Sequence, residues 1–350
     1  MNKRLNYIDN MRTLTVSLLI IYHLAMAYNT WGEANYIFFN ENKILSLIVV
    51  LISPWFMPLM FLLAGIGAYY SLKKRSVSVF IKERLVRLGI PLVFGLAVLN
   101  PILSYIADVT HNDYSGSILS HYSVYFTRFT DLSGYDGGFT LGHLWFIAVL
   151  IVISILSCLF IKLFSKMKSN KCKNILYCFL AIIAVATFDI KPLGKPIITY
   201  LCVFLLGYCL FSNQEFICKL AKYKWLFVIA FITADITNAI LFIFVGRFEV
   251  LNNICNYSAF ALGIPALFCL GNDCLDFADS ISMRCSRLSY VFYIVHFPVV
   301  VLCQYFISLT GIGTTANFFV SFVASSVITC LLCLAIDTNS VTKLLFGLKK

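Results

Sequence analysis

The chain has 350 residues, of which 60% are apolar and 12% are charged, and its mean hydropathy is +0.88. Soluble domains have about 45–50% apolar and about 25% charged residues. The composition therefore excludes a soluble enzyme and predicts an all-α, polytopic transmembrane helical bundle. A net charge of +11 is also found in nucleic-acid-binding proteins, but here the basic residues cluster between apolar runs. That pattern indicates a lipid bilayer, and no nucleic acid, as the partner.

Ten apolar segments predict ten spanning helices within one integral-membrane domain that covers residues 1–350. The predicted helices are 12–31, 44–70, 88–108, 140–162, 174–189, 197–212, 225–246, 254–274, 288–309 and 314–336. Most of the 27 lysine and arginine residues fall in the terminal and connecting segments on one side of this arrangement. The exceptions are Lys43, Arg128, Lys191, Lys195 and Arg247. The positive-inside rule therefore predicts that both the N- and C-termini are cytoplasmic.

The first predicted helix carries a cation near its start and an imidazole further along. Arg12 and His23 are separated by about three helical turns, roughly 16 Å at ~1.5 Å per residue. Helical periodicity places both side chains on nearly the same face. With Arg12 at the cytoplasmic interface, His23 lies near the middle of the ~30 Å hydrocarbon core. Ionisable groups are costly at that depth, so His23 is a candidate functional residue.

Arg84 and Arg87 precede the third predicted helix at positions i and i+3. These positions share one face of an α-helix, and paired guanidinium groups match phosphate oxygens bidentately. The pair is therefore a candidate phosphate site at the cytoplasmic end of the helix. Ordinary positive-inside anchoring explains the same pattern, and both interpretations stay open.

The outer side is predicted to hold one long polar segment, 109–139, which is rich in Tyr, Ser, Asp and Gly. Such a segment suits contacts with sugars, but a solvated connector has the same composition. His143 and Trp145 follow it at the start of the fourth helix, either as site residues or as interfacial anchors.

A third polar group lies in the ninth predicted helix. Ser289, Tyr293 and His296 follow one another at helical spacing, and Pro298 leaves a nearby backbone carbonyl without its helical hydrogen bond. A lone histidine at membrane depth is also common as a hydrogen-bonded residue of a helical bundle. Function and structure are therefore equally good interpretations of His296.

Five motifs, in this order along the chain, resemble those of the acyltransferase 3 family of integral membrane O-acyltransferases. They are 6–12 with His23; 61–65; Arg84, Arg87 and Pro91; 143–146; and Ser289, His296 and Pro298. The resemblance covers nearly the whole chain and is strongest to the branch around glucan biosynthesis protein C. One departure is Ala64 before Gly65, where many members have Ser. No extracytoplasmic esterase-like domain is expected beside the membrane domain.

The resemblance implies a reaction and roles for particular residues. Members of the family move acyl groups, usually acetyl or succinyl, from cytoplasmic acyl-CoA to hydroxyls of extracytoplasmic glycans or lipids at the bacterial inner membrane. By this resemblance Arg12 and His23 are catalytic, and Arg84 and Arg87 bind the acyl donor. Further residues expected to line the substrate route are Asp9, His143, Trp145, Ser289, Tyr293 and His296.

Acyl-CoA is expected as a co-substrate, with no permanently bound cofactor. A thioester needs no metal for acyl transfer, and the sequence has neither an HExxH motif nor Cys/His ligand spacing. It also has no Gly-x-Ser-x-Gly motif to support a covalent serine intermediate.

Two other classes of function stay open. A polytopic carrier or flippase for a glycan or lipid intermediate, with a proton-relay histidine, predicts repeats and more mid-membrane carboxylates than Asp235. A membrane sensor or assembly scaffold predicts that His23 is dispensable. The interpretation we favour is a membrane O-acyltransferase that acts on a glycan or glycolipid acceptor.

Overall fold

The structure is a computed structural model that describes residues 5–164, 166 and 169–348, apart from the side chain of residue 193. Some of the basic residues behind the predicted charge bias lie outside the described residues, namely Lys3, Arg4, Lys168, Lys349 and Lys350. Throughout the described part of the chain the regular elements are helices, and no strand is formed. The all-α prediction is therefore confirmed, whereas the cytoplasmic location of the termini stays a prediction.

Sixteen α-helices follow one another along the described residues. They are α1 Asn6–Met26, α2 Lys43–Ile52, α3 Phe56–Leu72, α4 Val77–Arg84, α5 Ile90–Phe94, α6 Asn100–His111, α7 Ile118–Thr127, α8 Trp145–Phe164, α9 Asn170–Ala186, α10 Ile197–Cys209, α11 Gln214–Ala221, α12 Lys224–Ile240, α13 Glu249–Cys274, α14 Ser280–Ser308, α15 Thr314–Ile336 and α16 Ser340–Leu345. Single π-helical turns at Leu85–Gly89 and Gly95–Leu99 connect α4, α5 and α6.

Within the described residues, seven helical segments are long and apolar enough to cross a membrane, or eight if the bent pair α10 and α11 is one span. The seven are Lys43–Leu72, Val77–His111, Gly142–Phe164, Lys224–Val245, Glu249–Cys274, Ser280–Ser308 and Thr314–Ile336. The polytopic class is thus confirmed, but the predicted ten spans become seven or eight.

Two predicted spans, 12–31 and 174–189, qualify under neither count but are nevertheless helical. They correspond to α1 and α9. Helix α1 is long enough, but its polar and charged residues, among them Asp9, Arg12 and His23, lower its hydropathy. Helix α9 has 17 residues and begins in a charged turn. The polar residues that make α1 a candidate site therefore also lower its hydropathy below that of a typical spanning helix.

The chain divides into two compact units, each built from separate stretches of sequence. The first unit comprises Met1–Arg12, Val50–Leu85 and Val149–Ser282, and the second comprises Thr13–Val49, Val86–Ala148 and Met283–Lys350. That residues 1–350 act as one integral-membrane domain stays a prediction.

Helices α3 and α10 pack closely in the first unit because each has a glycine at the contact. A Cβ atom on Gly65 would lie 2.0 Å from the carbonyl oxygen of Phe204, and one on Gly207 would lie 2.2 Å from that of Leu62. The obstacle is backbone in both cases, so a neighbouring side chain cannot move aside to relieve it. Gly65 of the 61–65 motif therefore serves helix packing.

We expect Gly65→Ala to destabilise the protein by about 1–3 kcal/mol, because the added methyl group overpacks the contact between α3 and α10. Thermal unfolding of the detergent-solubilised protein measures the effect. Gly67→Ala is the matched control, since Gly67 lies on the same helix with nothing within 4 Å of its Cβ position. Equal stability of the two variants would contradict the close packing.

The second unit joins α1, α6, α14 and α15 around two apolar clusters. One cluster includes Leu24, Val300 and Phe318, and the other includes Leu103 and Phe297. A buried polar contact also links α14 to α1, because the side-chain amide of Gln304 donates to the carbonyl of Leu24 at 3.1 Å. These contacts place the middle of α14 beside the C-terminal half of α1.

The polar segment 109–139 is folded against α6 and is joined to it by a buried hydrogen bond between His121 and the carboxylate of Asp108. His121 Nε2 lies 3.1 Å from Asp108 Oδ2, and these side chains are 1% and 4% exposed. Arg128 Nη1 lies 3.5 Å from the other oxygen of Asp108, and Asn112 donates to the same oxygen at 2.8 Å. A purely solvated connector would not bury such a pair.

We expect this segment to be destabilised by Asp108→Asn and by acid. Loss of a hydrogen bond to a charged group typically costs about 1.5–3 kcal/mol. Burial lowers the pKa of His121 below its ordinary value of 6.5, although the hydrogen bond to Asp108 opposes the shift. Since the folded state prefers neutral His121, this contribution to stability is complete above the ordinary pKa and is lost as the pH falls.

Thermal unfolding between about pH 8 and pH 5 tests the acid effect. His121→Asn should flatten the loss of stability on acidification, whereas the control His111→Asn, at an exposed histidine of the same segment, should keep it. An unchanged pH dependence in His121→Asn would contradict the assignment.

Candidate active site

Three histidines from three separate elements of the second unit lie together. His23 is on α1, His143 is in a 3₁₀ turn at Gly142–Leu144 just before α8, and His296 is on α14. The ring centroid of His296 lies 5.4 Å from that of His23 and 5.3 Å from that of His143. We call these three residues the histidine cluster.

Two aromatic residues of α14 pack against the histidine cluster. The ring of Phe297 lies 4.0 Å from that of His23 and 5.5 Å from that of His143. The hydroxyl group of Tyr293 donates a hydrogen bond to the carbonyl oxygen of His143. The positions of the imidazole rings are therefore restricted on several sides.

The hydrogen bonds of His296 determine which of its nitrogens carries the hydrogen. Nδ1 lies 2.7 Å from the carbonyl oxygen of Tyr293 and 3.2 Å from that of Phe292. Carbonyl oxygens only accept, so Nδ1 must be the donor and Nε2 carries the lone pair in the neutral ring. Nε2 is buried and has no hydrogen-bond partner among the described residues.

His143 is held in the opposite tautomer. Its Nε2 lies 2.8 Å from the carbonyl oxygen of Ile294 and therefore donates to it. This carbonyl is available because Pro298, four residues later in α14, has no N–H to bond it. The lone pair of His143 is consequently on Nδ1, which is also buried and without a partner in the described part of the chain.

The turn that holds His143 depends on a glycine. Gly142 has a φ of +48°, a conformation that residues with a Cβ atom rarely adopt. Asn100 of α6 supports the chain two residues before Gly142, because its side-chain amide donates to the carbonyl of Thr140 at 2.9 Å. The turn that begins at Gly142 thus directs the chain into α8 with the imidazole of His143 buried.

The other predicted lining residues differ in their surroundings. Ser289 is buried, and its hydroxyl group donates to the carbonyl of Ser286 at 2.9 Å. Trp145 is half-buried, with its ring perpendicular to that of Phe146 at 6.4 Å. The histidine cluster is therefore defined by the three imidazoles alone.

Asp9 and Arg12 form an ion pair on α1 within the first unit. Arg12 Nη2 donates to Asp9 Oδ1 at 2.8 Å, and the two side chains are 38% and 20% exposed. Arg12 and His23 are on the same helix, as predicted, but they belong to different compact units. The carboxylate of Asp9 fixes the guanidinium of Arg12 one turn along the helix.

Arg84 and Arg87 do not lie on a continuous α-helix. Arg84 ends α4, whereas Arg87 is in the π-helical turn Leu85–Gly89. The wider turn changes the angular relation expected for positions i and i+3 of an α-helix. Arg84 lies over the ring of Phe80 at 5.2 Å, and Arg87 Nε donates to the carbonyl of Gly347 at 3.4 Å. The expectation that both arginines lie on one regular α-helix is therefore not met.

No group of three or more His, Cys, Asp or Glu side chains in the described residues has an arrangement that holds a metal ion. In the histidine cluster, one nitrogen each of His143 and His296 is already committed to a backbone carbonyl. The arrangement suits proton transfer, because two neutral imidazoles present unpartnered lone pairs in a buried site.

Residues 5–338 match the family model for the acyltransferase domain of the acyltransferase 3 family. The chain belongs to the acyltransferase 3 family. It is therefore an acyltransferase, and its apolar helices make it a multi-pass membrane O-acyltransferase. No curated protein and no solved structure shows significant similarity to the chain. Membership of the glucan biosynthesis branch stays a prediction.

In this acyltransferase 3 protein, sequence reasoning singled out all three histidines but missed their association. His143 and His296 are far apart in the chain, and no helical spacing connects them. One signal was present, since Pro298 leaves the carbonyl of Ile294 without a helical partner. That His143 is the donor to this carbonyl depends on tertiary structure.

Proposed function

We propose that this protein transfers an acetyl or succinyl group from cytoplasmic acyl-CoA to a hydroxyl of an extracytoplasmic glycan or glycolipid at the bacterial inner membrane. The observation that carries the proposal is the histidine cluster, in which His23 lies against the buried imidazole of His296, and His296 in turn lies against that of His143. The tautomers of His143 and His296 are fixed by backbone carbonyls. A hydroxyl group must lose its proton to become an ester oxygen, and neutral imidazole is the usual base for that step.

His23 is the general base in this proposal. It accepts the proton of the acceptor hydroxyl while the hydroxyl oxygen forms a bond to the acyl carbon of the thioester. The carbon–sulfur bond then breaks, and the departing thiolate of coenzyme A takes up the proton. The reaction yields an ester and a free thiol, and it requires neither a metal ion nor a covalent enzyme intermediate.

Arg84 and Arg87 are candidates for binding the donor phosphates. The guanidinium group is always charged and suits phosphate oxygens. Arg84 lies over the ring of Phe80 and Arg87 donates to the carbonyl of Gly347, so each arginine is considered separately as a phosphate-binding residue. Arg12 is proposed to support catalysis from the other end of α1, where its ion pair with Asp9 restricts its orientation.

The segment 109–139 is the candidate for contacts with the acceptor. It combines a folded interior, held by the Asp108–His121 pair, with exposed polar side chains such as Asp113 and Ser123. A rigid scaffold that presents polar groups is a common arrangement for binding loops.

The proposal is tested with the full-length protein reconstituted in liposomes. Acyl-CoA carrying an isotopic label is supplied on one side and oligosaccharides on the other, and mass spectrometry detects the ester. Acetyl-CoA and succinyl-CoA are compared as donors. In parallel, surface glycans from cells with and without the protein are compared. Labelled ester in the glycan supports the proposal, whereas esters found exclusively on a non-glycan acceptor would contradict it.

A further inference from the structure

His296 has a chemical feature that the proposed function does not use. Its Nε2 lone pair is buried, it lies next to the base His23, and it has no partner in the described residues. We propose that His296 completes a proton relay. When one ring nitrogen of His23 accepts a proton from the acceptor hydroxyl, the other ring nitrogen of His23 gives its proton to Nε2 of His296. This inference rests on the proposed role of His23.

The spacing of the two rings suits such a transfer. Their centroids are 5.4 Å apart and their planes are tilted by 36°. Nε2 of His296 has no hydrogen-bond partner among the described residues, so the relay requires a rotation of the neighbouring His23 ring that brings one of its nitrogens to hydrogen-bond distance, about 3 Å. The rings belong to α1 and α14, which are linked by the Gln304–Leu24 contact.

The fixed tautomer of His296 makes it an acceptor. Nδ1–H is committed to two backbone carbonyls, so the hydrogen cannot move to Nε2 without breaking those bonds. A buried acceptor without a partner is energetically unfavourable. In the imidazolium form, the same two carbonyls would accept a stronger, charge-assisted bond from Nδ1–H. The surroundings of His296 therefore favour receipt of a proton at Nε2.

The other rings around His296 leave His23 as the donor. Its ring neighbours include Phe292 and Phe297, which have no exchangeable hydrogen. Tyr293 and His143 each commit their side-chain hydrogen to a backbone carbonyl. His23 is the remaining described ring neighbour that can pass on a proton.

The relay conserves every proton. The acceptor hydroxyl gives its proton to one nitrogen of His23, and the other nitrogen of His23 gives its proton to Nε2 of His296. The hydroxyl oxygen bonds to the acyl carbon, and the carbon–sulfur bond breaks. His296 then returns its proton to His23, and His23 delivers the first proton to the leaving thiolate. His296 thus acts through His23, as a positioning and proton-holding residue.

The test measures steady-state acyl transfer by the reconstituted protein in mixtures of H₂O and D₂O. Because two protons move in the relay, a plot of wild-type kcat against the D₂O fraction should fall and should be bowed rather than linear. His296→Phe should lower kcat about 10²-fold with KM nearly unchanged, because proton transfer contributes roughly 10²–10⁴-fold. Its dependence on D₂O should become linear.

His296→Gln separates a relay from a simple hydrogen bond. Glutamine accepts a hydrogen bond but takes no proton, so the relay predicts that it is as slow as His296→Phe. A glutamine variant with wild-type kcat would overturn the proposal. Phe292→Leu is the packing control, because it alters a ring stacked on His296 and removes no polar atom; its D₂O curve should stay bowed.

The wild-type curve decides the question even where both His296 variants fail to fold, because a linear wild-type curve overturns the relay. Failure of the proposed function is distinguishable from failure of this inference. If the wild type transfers no acyl group, the proposed function is wrong. If the wild type is active and His296→Phe keeps both its rate and its bowed curve, only the relay is wrong.

Discussion

Replacement of His23 by alanine is expected to abolish acyl transfer while the protein remains folded in the membrane. General base catalysis contributes roughly 10²–10⁴-fold to rate, so the residual activity should lie at or below about 1% of that of the wild type. His23→Gln should be equally inactive, since the amide keeps polarity and approximate size but does not accept a proton. Ester formation, followed by mass spectrometry, measures the loss.

Two controls make this result specific. His111→Ala removes an exposed histidine whose Nδ1 lies 2.9 Å from the carbonyl of Tyr135, and it should retain transfer. Size-exclusion profiles and thermal unfolding of each variant report whether the fold survives. Full acylation by a well-folded His23→Ala protein would exclude His23 as the base and favour the sensor or scaffold interpretation.

The fold class followed from composition because a membrane imposes a simple requirement. Backbone groups in lipid must be bonded within the segment, so long apolar runs form helices. The number of spans was harder to predict, and α1 shows why. Asp9, Arg12 and His23 make this helix too polar to pass as a span, yet these residues are the ones that suggested a site.

The sequence predicted the individual histidines of the site but not their association. Histidines at membrane depth are recognisable individually because they are costly there. Which of them associate depends on which helix faces meet, and the contact between α1 and α14 through Gln304 has no local sequence signal. The tautomers of His143 and His296 depend on carbonyls whose positions only the folded chain defines.

The π-helical turn at Leu85–Gly89 shows a similar limit. The spacing of Arg84 and Arg87 predicted one shared face because an α-helix was assumed. A single π turn has more residues per turn than an α-helix. Leu85 and Val86, which lie between the two arginines, do not distinguish a π turn from an α-helix. Sequence reasoning therefore singled out the two basic residues but did not predict the π-helical turn that holds Arg87.

Arg84→Ala and Arg87→Ala are each expected to weaken binding of acyl-CoA by about tenfold or more. A hydrogen bond to a charged group contributes about 1.5–3 kcal/mol, and about 1.4 kcal/mol corresponds to a factor of ten in Kd. Isothermal calorimetry of the solubilised protein with acyl-CoA measures both constants. Since these guanidinium groups are accessible to solvent, added salt should reduce the difference in Kd between each variant and the wild type.

Lysine substitutions test the geometry of the interaction. Arg84→Lys and Arg87→Lys keep the charge but lose the planar fork, so each should fall between wild type and alanine variant. Lys82→Ala is the matched control, because it removes an exposed positive charge from the same stretch and should change Kd little. Unchanged Kd in both arginine variants would leave these residues as anchors of membrane orientation.

The two arginines are also expected to differ from each other, which a purely electrostatic anchor would not predict. Arg87 donates to the carbonyl of Gly347, so Arg87→Ala should lower the thermal stability of the protein in addition to its affinity. Arg84 lies over the ring of Phe80, and Phe80→Leu should therefore reproduce part of the loss of affinity in Arg84→Ala by removing the surface that orients the guanidinium. If Phe80→Leu binds acyl-CoA like the wild type while Arg84→Ala does not, the charge of Arg84 matters and its orientation over Phe80 does not.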